Sequence, residues 1–144
     1  IVVAKEIVNI KTTIGEDIIN KTKQNTSQLE VGKIDFDLNE YKITRNIANE
    51  LDKIIVFMIK KSTANLLLKS HTDSRGPDIY NYNLTQKRAQ SMTNYIVSNG
   101  IDPNRVLGKG YGETELVNNC SNGIKCTETE HQKNRRNEFI ITNE

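Results

Sequence analysis

Apolar and polar positions along the chain follow two different periods, and these separate the predicted strands from the predicted helices. From Ile34 to Leu38 every second residue is apolar, which predicts a strand. From Thr44 to Lys61 the apolar residues recur at intervals of three and four, which predicts an amphipathic helix with Thr44 as its N-cap. The mainly apolar run at 64–68, with three consecutive leucines at its end, predicts a strand that is buried on both faces.

The second half of the chain repeats this order of elements. A polar stretch at 71–82 predicts a loop, after which a second helix is expected to begin near Thr85 and to end at Gly100. Segments at 106–111 and 139–141 predict two further strands. The order strand, helix, strand, helix, strand, loop, strand predicts an α+β fold, a two-layer α/β sandwich with helices on one face of a mixed sheet.

Residues 1–31 contain no motif and are expected to be an N-terminal segment from an upstream region, an added strand and a linker, while 32–144 form one domain. Because the chain begins at Ile1 and shows no signal peptide, we expect it to be a fragment of a longer, processed protein. It contains no run of 18 apolar residues, so membrane attachment is expected only through parts outside this chain.

Charge and composition argue against several classes of function. The net charge is +2, from 20 Lys and Arg against 18 Asp and Glu, which provides no basic surface for nucleic acid. The sequence has two histidines, no Gly-x-Ser-x-Gly motif and no evident pair of catalytic carboxylates, so an enzyme is not expected. The glycines at 108, 110 and 112 do not continue into a dinucleotide-binding motif, and no cofactor is predicted.

The two cysteines, Cys120 and Cys126, enclose five residues. A disulfide is the favoured interpretation, and it would place the domain in an oxidising compartment, the periplasm or the cell exterior. The alternatives are a zinc site completed by His131 and His71, whose spacing fits no standard zinc pattern, and two free thiols. No metal is therefore predicted.

Asp73 and Arg88 are the strongest candidates for a binding site. Asp73 follows the second predicted strand, at the sheet edge where ligands of open α/β sheets bind. Arg88 is expected in the first turn of the second helix, where a cation is unfavourable unless an anion lies nearby. A carboxylate and a guanidinium held this way suit a ligand that carries both an ammonium and a carboxylate.

Four short motifs also follow one another in a recognisable order. They are His-Thr-Asp at 71–73, Leu-Thr-x-x-Arg-Ala at 84–89, Gly-Lys-Gly-Tyr-Gly-Glu at 108–113 and Asn-Arg-Arg at 134–136. In this order and at these spacings, the chain from about Gly32 to Thr142 resembles OmpA-like peptidoglycan-binding domains. The resemblance implies a small mixed sheet and a non-enzymatic anchor that binds peptidoglycan on the periplasmic side of the outer membrane.

The resemblance also implies a ligand, the meso-diaminopimelate residue of the peptidoglycan stem peptide. Asp73 would pair with its ammonium and Arg88 with its carboxylate. The other positions that the resemblance places at the pocket are Thr72, Arg75, Leu84, Phe36 and Asp37, with Arg136 either at the rim or paired with Glu138 at the start of the last strand. The alternative is a periplasmic protein–protein interaction module of the same fold without a wall ligand. Contacts with other envelope proteins are expected through upstream regions.

Overall fold

Four strands and three helices follow one another in the part of the chain that the structure, a computed structural model, describes: residues 7–9 and 29–143. In chain order they are β1 (Ile7–Asn9), α1 (Arg45–Lys60), β2 (Ala64–His71), α2 (Asp78–Ser98), β3 (Val106–Gly112), α3 (Glu128–Gln132) and β4 (Arg136–Asn143). A single 3₁₀ turn, Pro103–Arg105, precedes β3. Within these residues no helix has both the length and the apolar character needed to span a bilayer.

The strands form one mixed sheet in the order β1-β4-β2-β3. β2 and β3 are parallel, with Leu66 opposite Val106, because the α2 crossover returns the chain to the same end of the sheet. β4 is antiparallel to both of its neighbours, and its Phe139 lies opposite Leu68. The predicted α+β class and the small mixed sheet are confirmed.

The strand predicted at Ile34–Leu38 is wrong. This segment has no regular secondary structure, and its side chains range from the buried Ile34 to Leu38, which is 86% exposed. Its backbone carbonyls accept hydrogen bonds from the side chains of Asn137 and Arg88 instead of from a neighbouring strand. The edge of the sheet beside β4 is taken by β1. Most of residues 1–31 lie outside the described part of the chain, so the division at residue 32 stays a prediction.

The first long helix follows the sequence closely. α1 begins at Arg45, and the hydroxyl of Thr44 accepts the backbone N–H of Ile47 at 3.4 Å, which confirms the predicted N-cap. At its other end, the guanidinium of Arg105 donates hydrogen bonds of 2.8–2.9 Å to the carbonyls of Met58 and Lys61 at the end of α1 and of Ala64 at the start of β2. The first two bonds satisfy carbonyls that a helix end leaves without partners.

The second long helix begins two turns earlier than predicted. α2 starts at Asp78 directly after Pro77, so the predicted loop is shorter and Thr85 lies inside the helix. Thr85 is fully buried; its hydroxyl lies within hydrogen-bond distance of the carbonyls of Asn81 and Tyr82 and accepts the N–H of Gly112. Thr85, where this helix was expected to begin, therefore binds the helix to β3.

Three glycines on β3 allow α2 to lie directly on this strand. A Cβ at Gly110 would overlap the backbone of α2 at Gln86, and one at Gly108 would overlap the side chain of Thr93. Gly112, at φ +56°, approaches the backbone of Tyr82 in the same way. The helix and strand backbones are in direct contact at Gly110, so this position requires glycine, and the other two glycines leave little room for a side chain.

The core lies between the two long helices and one face of the sheet. Burial alternates along β2, so the prediction that this strand is buried on both faces is wrong: Leu66 and Leu68 are fully buried, whereas Leu67 is half-buried. α1 contributes five buried apolar residues, Ile47, Leu51, Ile54, Ile55 and Met58. The two long helices therefore cover a single face of the sheet.

Candidate ligand-binding cleft

An open cleft of about 670 Å³ lies where the carboxyl end of β2 meets the first turns of α2. The irregular segment 34–39, the first residue of α3 and the residues at the start of β4 also line it. The cleft thus occupies the end of the parallel strand pair, the edge at which ligands of open α/β sheets bind.

Asp73 is held by hydrogen bonds as soon as the chain leaves β2. Its Oδ1 accepts the backbone N–H of Arg75 at 2.8 Å, and its Oδ2 accepts the guanidinium groups of Arg75 at 2.8 Å and Arg135 at 2.7 Å. Burial raises the pKa of this carboxyl, but the hydrogen bonds from Arg75 and Arg135 outweigh it and bring the pKa to about 2. Asp73 is therefore a carboxylate at any physiological pH.

Glu128 completes a ring of four charges with Asp73. Its two carboxylate oxygens accept hydrogen bonds from Arg75 at 3.0 Å and from Arg135 at 2.6 Å. These bonds, that from Arg135 being the strongest cause, lower the pKa of Glu128. Each arginine therefore bridges both carboxylates, and the ring has no net charge.

The ring leaves Asp73 able to accept one more donor. A carboxylate offers about four lone-pair positions. Oδ2 uses two of them on the arginines, while Oδ1 uses one on the backbone of Arg75. A ligand ammonium at Oδ1 would not have to displace either guanidinium, although the Asp73 side chain is only 8% exposed and is reached through the cleft.

Arg88 lies in the third turn of α2, so the prediction that it sits at the helix amino end is wrong. Its Nε donates to the carbonyl of Glu40 at 2.8 Å, its Nη2 donates to that of Asp37 at 3.1 Å, and the guanidinium lies 5.1 Å from the centre of the Phe36 ring. Burial lowers the pKa of Arg88. A guanidinium has five N–H groups, so those on Nη1 and one on Nη2 remain for a ligand.

Arg88 has a further property that suits anion binding. Among the described residues no carboxylate forms an ion pair with it, whereas the other three arginines that line the cleft each bind an acidic side chain. Its partners are neutral carbonyls and an aromatic ring. A partly buried cation in this position is most favourable when a ligand supplies the negative charge.

The structure brings the predicted site residues together. Asp73 and Arg88 line one cleft with Thr72, Arg75, Leu84, Phe36 and Arg136. Asp37 does not line the cleft, and contributes its carbonyl to Arg88. Arg136 combines the two arrangements considered for it. It lines the cleft, where it donates to the carbonyl of Glu115 at 2.9 Å, and it also pairs with Glu138 at 3.4 Å at the start of β4.

Sequence reasoning missed two residues of the cleft, Arg135 and Glu128. Arg135 belongs to the Asn-Arg-Arg motif, but the sequence does not reveal which of the two arginines faces Asp73. Glu128 follows the N-cap of α3, Thr127, which forms a capping box with Glu130. The sequence predicts a short helical turn near 128–133, and the Thr-x-x-Glu pattern at 127–130 places Glu128 in its first turn, but nothing in the sequence indicates that this turn faces Asp73.

Cys120 and Cys126 form a disulfide, as predicted. Cys120 is buried, and its carbonyl accepts the hydroxyl of Ser74, the residue that follows Asp73. Both sulfur atoms are used in the bond, so they do not serve as the zinc ligands considered above. The disulfide loop is thereby fastened beside the strand end that carries Asp73.

A second group of charges lies behind the cleft. Nε2 of the buried His71 lies 2.9 Å from Glu138, and this bond is the largest cause that lowers the pKa of Glu138 to about 2. Glu115 completes a set whose ligand atoms all lie within 4.8 Å, close enough to hold a metal. However, Lys69 binds Glu115 at 2.6 Å and Arg136 binds Glu138, so cationic side chains already neutralise both carboxylates.

Comparison with known proteins identifies the family. Residues 35–135, more than half of the chain, match the OmpA family. The chain belongs to the OmpA family. Members of this family are structural, non-enzymatic proteins. This OmpA-family domain is 32% identical over 130 residues to the peptidoglycan-associated lipoprotein of Buchnera aphidicola, with 90% of this chain and 70% of that protein aligned.

The domain is also 32% identical over 108 residues to outer membrane porin F of Pseudomonas fluorescens, with 75% of this chain aligned. It spans about a third of that relative, 32% of its length. Two solved structures share the fold. The peptidoglycan-associated lipoprotein of Burkholderia pseudomallei has a TM-score of 0.62 and 22% identity, and the match covers 76% of this chain and 87% of that one. The cell wall anchor of the T6SS of Pseudomonas aeruginosa has a TM-score of 0.63 and 23% identity, and the match covers 76% of this chain and 75% of that one.

Proposed function

We propose that this OmpA-family domain binds peptidoglycan non-covalently by holding the meso-diaminopimelate residue of a stem peptide in the cleft. Asp73 accepts the ammonium of this residue, and Arg88 binds its carboxylate. The observation that carries the proposal lies in one cleft: counting only partners within residues 29–143, a carboxylate keeps an unused lone-pair position and a guanidinium has no acidic partner. Similarity to a peptidoglycan-associated lipoprotein supports it.

The polarity of the cleft fits a zwitterionic ligand better than a simple anion or cation. Asp73 is fixed as a carboxylate by two arginines, so its protonation does not compete with ligand binding. Arg88 retains an end-on pair of N–H groups, the geometry that a carboxylate binds bidentately. A stem peptide with lysine in place of diaminopimelate would offer the ammonium but leave Arg88 without its anion.

Binding of one stem peptide is expected to be weak. Hydrogen bonds to charged groups contribute roughly 1.5–3 kcal/mol each, and the ordering of a flexible peptide offsets part of this. A wall polymer presents many sites at once, and tethered domains gain effective affinity of about 10²–10⁴ by avidity. Weak single-site binding is therefore compatible with an anchor.

The test is a titration of the domain, observed by amide NMR, with a stem peptide that contains meso-diaminopimelate and with its lysine counterpart. We expect shifts around Asp73 and Arg88 with the first peptide and much weaker binding of the second. Arg88→Ala and Asp73→Ala should abolish binding to isolated wall. Lys87→Ala is the matched control, because it removes a cation one residue away that stacks on Tyr41 outside the cleft.

Equal binding of wall by Arg88→Ala and the unmodified domain would refute the proposed site. If neither peptide nor intact wall binds, the domain is better explained as a protein-interaction module that shares the fold. We further propose that it acts on the periplasmic side of the outer membrane, because its relatives include an outer membrane porin and a peptidoglycan-associated lipoprotein. In this proposal residues 32–144 form the binding domain and the upstream region links it to the rest of the protein.

A further inference from the structure

The four-charge ring contains two carboxylates. Asp73 follows the end of β2, whereas Glu128 comes from a different element. It is the first residue of α3, its side chain is 65% exposed, and it lines the cleft. It binds both guanidinium groups that also bind Asp73. The ring thus balances two carboxylates against two guanidiniums, and without Glu128 it would carry one positive charge.

The charge of the ring decides how well it accepts a cation. A ligand ammonium at Asp73 approaches the guanidiniums of Arg75 and Arg135, and like charges at such distances repel. Glu128 lies on the far side of these two groups and offsets their charge. A blocked, uncharged amine would not experience this repulsion, so Glu128 matters for the charged ligand and not for the neutral one.

The position of Glu128 depends on the disulfide. Cys126 lies two residues before it, and the intervening Thr127 caps α3. The other end of the disulfide, Cys120, accepts the hydroxyl of Ser74, which is bonded in sequence to Asp73. A short covalent and hydrogen-bonded path therefore connects the two carboxylates of the ring.

We propose that Glu128, positioned by the Cys120–Cys126 disulfide, is a specificity-determining residue that makes the cleft select ligands with a free ammonium group. This proposal rests on the proposed function and deepens it, because it assigns selection of the ammonium to a residue outside the Asp73–Arg88 pair. Removal of the Glu128 charge lowers the affinity for a peptide with a free ammonium group. The affinity for a peptide whose amino group is blocked stays the same or rises.

The experiment compares two stem peptides, one with the free amino group of diaminopimelate and one with that group acetylated. Their dissociation constants are measured for the unmodified domain, Glu128→Gln and Glu130→Gln. Glu130→Gln is the matched control: it removes the same charge two residues away, and the Gln oxygen can still accept the N–H of Thr127 that Glu130 accepts now. We expect Glu128→Gln to reduce the preference for the free amine by roughly three- to fivefold, as for a partly exposed ion pair, and Glu130→Gln to leave it unchanged.

The disulfide is tested by reduction of both cysteines in the unmodified domain and in Glu128→Gln. We expect reduction to lower the preference in the unmodified domain and not to lower it further in the variant, since both changes act through one carboxylate. A preference that Glu128→Gln leaves intact would overturn the inference while the proposed function stands. Failure of the unmodified domain to bind either peptide would overturn both.

Discussion

Asp73→Asn should destabilise the domain in a pH-dependent way, because the carboxylate is stabilised by two guanidiniums only when it is ionised. Its pKa is about 2 in the folded domain, against 3.8 for an ordinary aspartate. At 1.36 kcal/mol per pKa unit, this difference corresponds to at most about 2.4 kcal/mol. Since the cleft opens to solvent, screening reduces the expected contribution to about 1–2 kcal/mol.

The sign follows from the direction of the pKa change. A carboxyl whose folded pKa lies below its unfolded pKa contributes stability that is complete above the unfolded pKa and is lost as the pH falls through the folded pKa. The free energy of unfolding of the unmodified domain should therefore exceed that of Asp73→Asn by the full amount near pH 6. At pH 3, between the two pKa values, roughly half of this difference should remain.

Urea unfolding followed by far-ultraviolet circular dichroism at pH 6, 4.5 and 3 measures the difference directly. Glu138, whose pKa is also about 2, titrates in both proteins and cancels in the comparison. Asp35→Asn is the matched control, because the Asp35 side chain lines the same cleft but is 65% exposed, and its one ion pair within the described part of the chain is with Lys33, at 3.6 Å. A difference between the unmodified domain and Asp73→Asn that stays constant from pH 6 to pH 3 would refute the reasoning.

Three further changes test other parts of the fold. Gly110→Ala should lower the free energy of unfolding by at least about 2–3 kcal/mol, since its Cβ would overlap the α2 backbone at Gln86; an unchanged urea midpoint would contradict the close contact. Reduction of Cys120–Cys126 should lower thermal stability by about 2 kcal/mol, read by calorimetry with and without reductant, and should weaken wall binding without abolishing it. Arg105→Ala should lower stability by about 2–3 kcal/mol because three carbonyls lose their charged donor, whereas a near-neutral result would show that water replaces it.

The elements that the sequence predicted well are those whose periodicity reflects burial. α1 combines an apolar stripe with a capping threonine, and both signals mark the same start, Thr44. The strand at 34–38 failed because alternation records which side chains are buried and not what the backbone bonds to. There, Ile34 is buried, but the carbonyls are bound by the side chains of Asn137 and Arg88.

The sequence predicted the two central residues of the candidate site, Asp73 and Arg88. It did not predict the charged residues around Asp73, Arg135 and Glu128. Asp73 and Arg88 stood out because their motifs occur in a fixed order along the chain. The early start of α2 was hidden, since Pro77 provides no side-chain cap and Ile79 and Tyr80 are exposed rather than buried in a stripe. The bridge from Asp73 to Glu128 joins residues that are far apart in sequence, so it required the fold.

The glycines of β3 have a consequence for the size of ligand that the cleft accepts. Because the backbones of α2 and β3 are in direct contact at Gly110, no flexible side chain lies between them there that could yield and let the helix slide. Arg88 lies on α2, and Asp73 follows β2, the strand that pairs with β3. The distance between the two charged groups is therefore set by the contact between the α2 and β3 backbones. For the proposed ligand-binding mode, we therefore expect ligands with the same two charged groups to be distinguished by the length of the chain between those groups, since one that is too long must bend to fit.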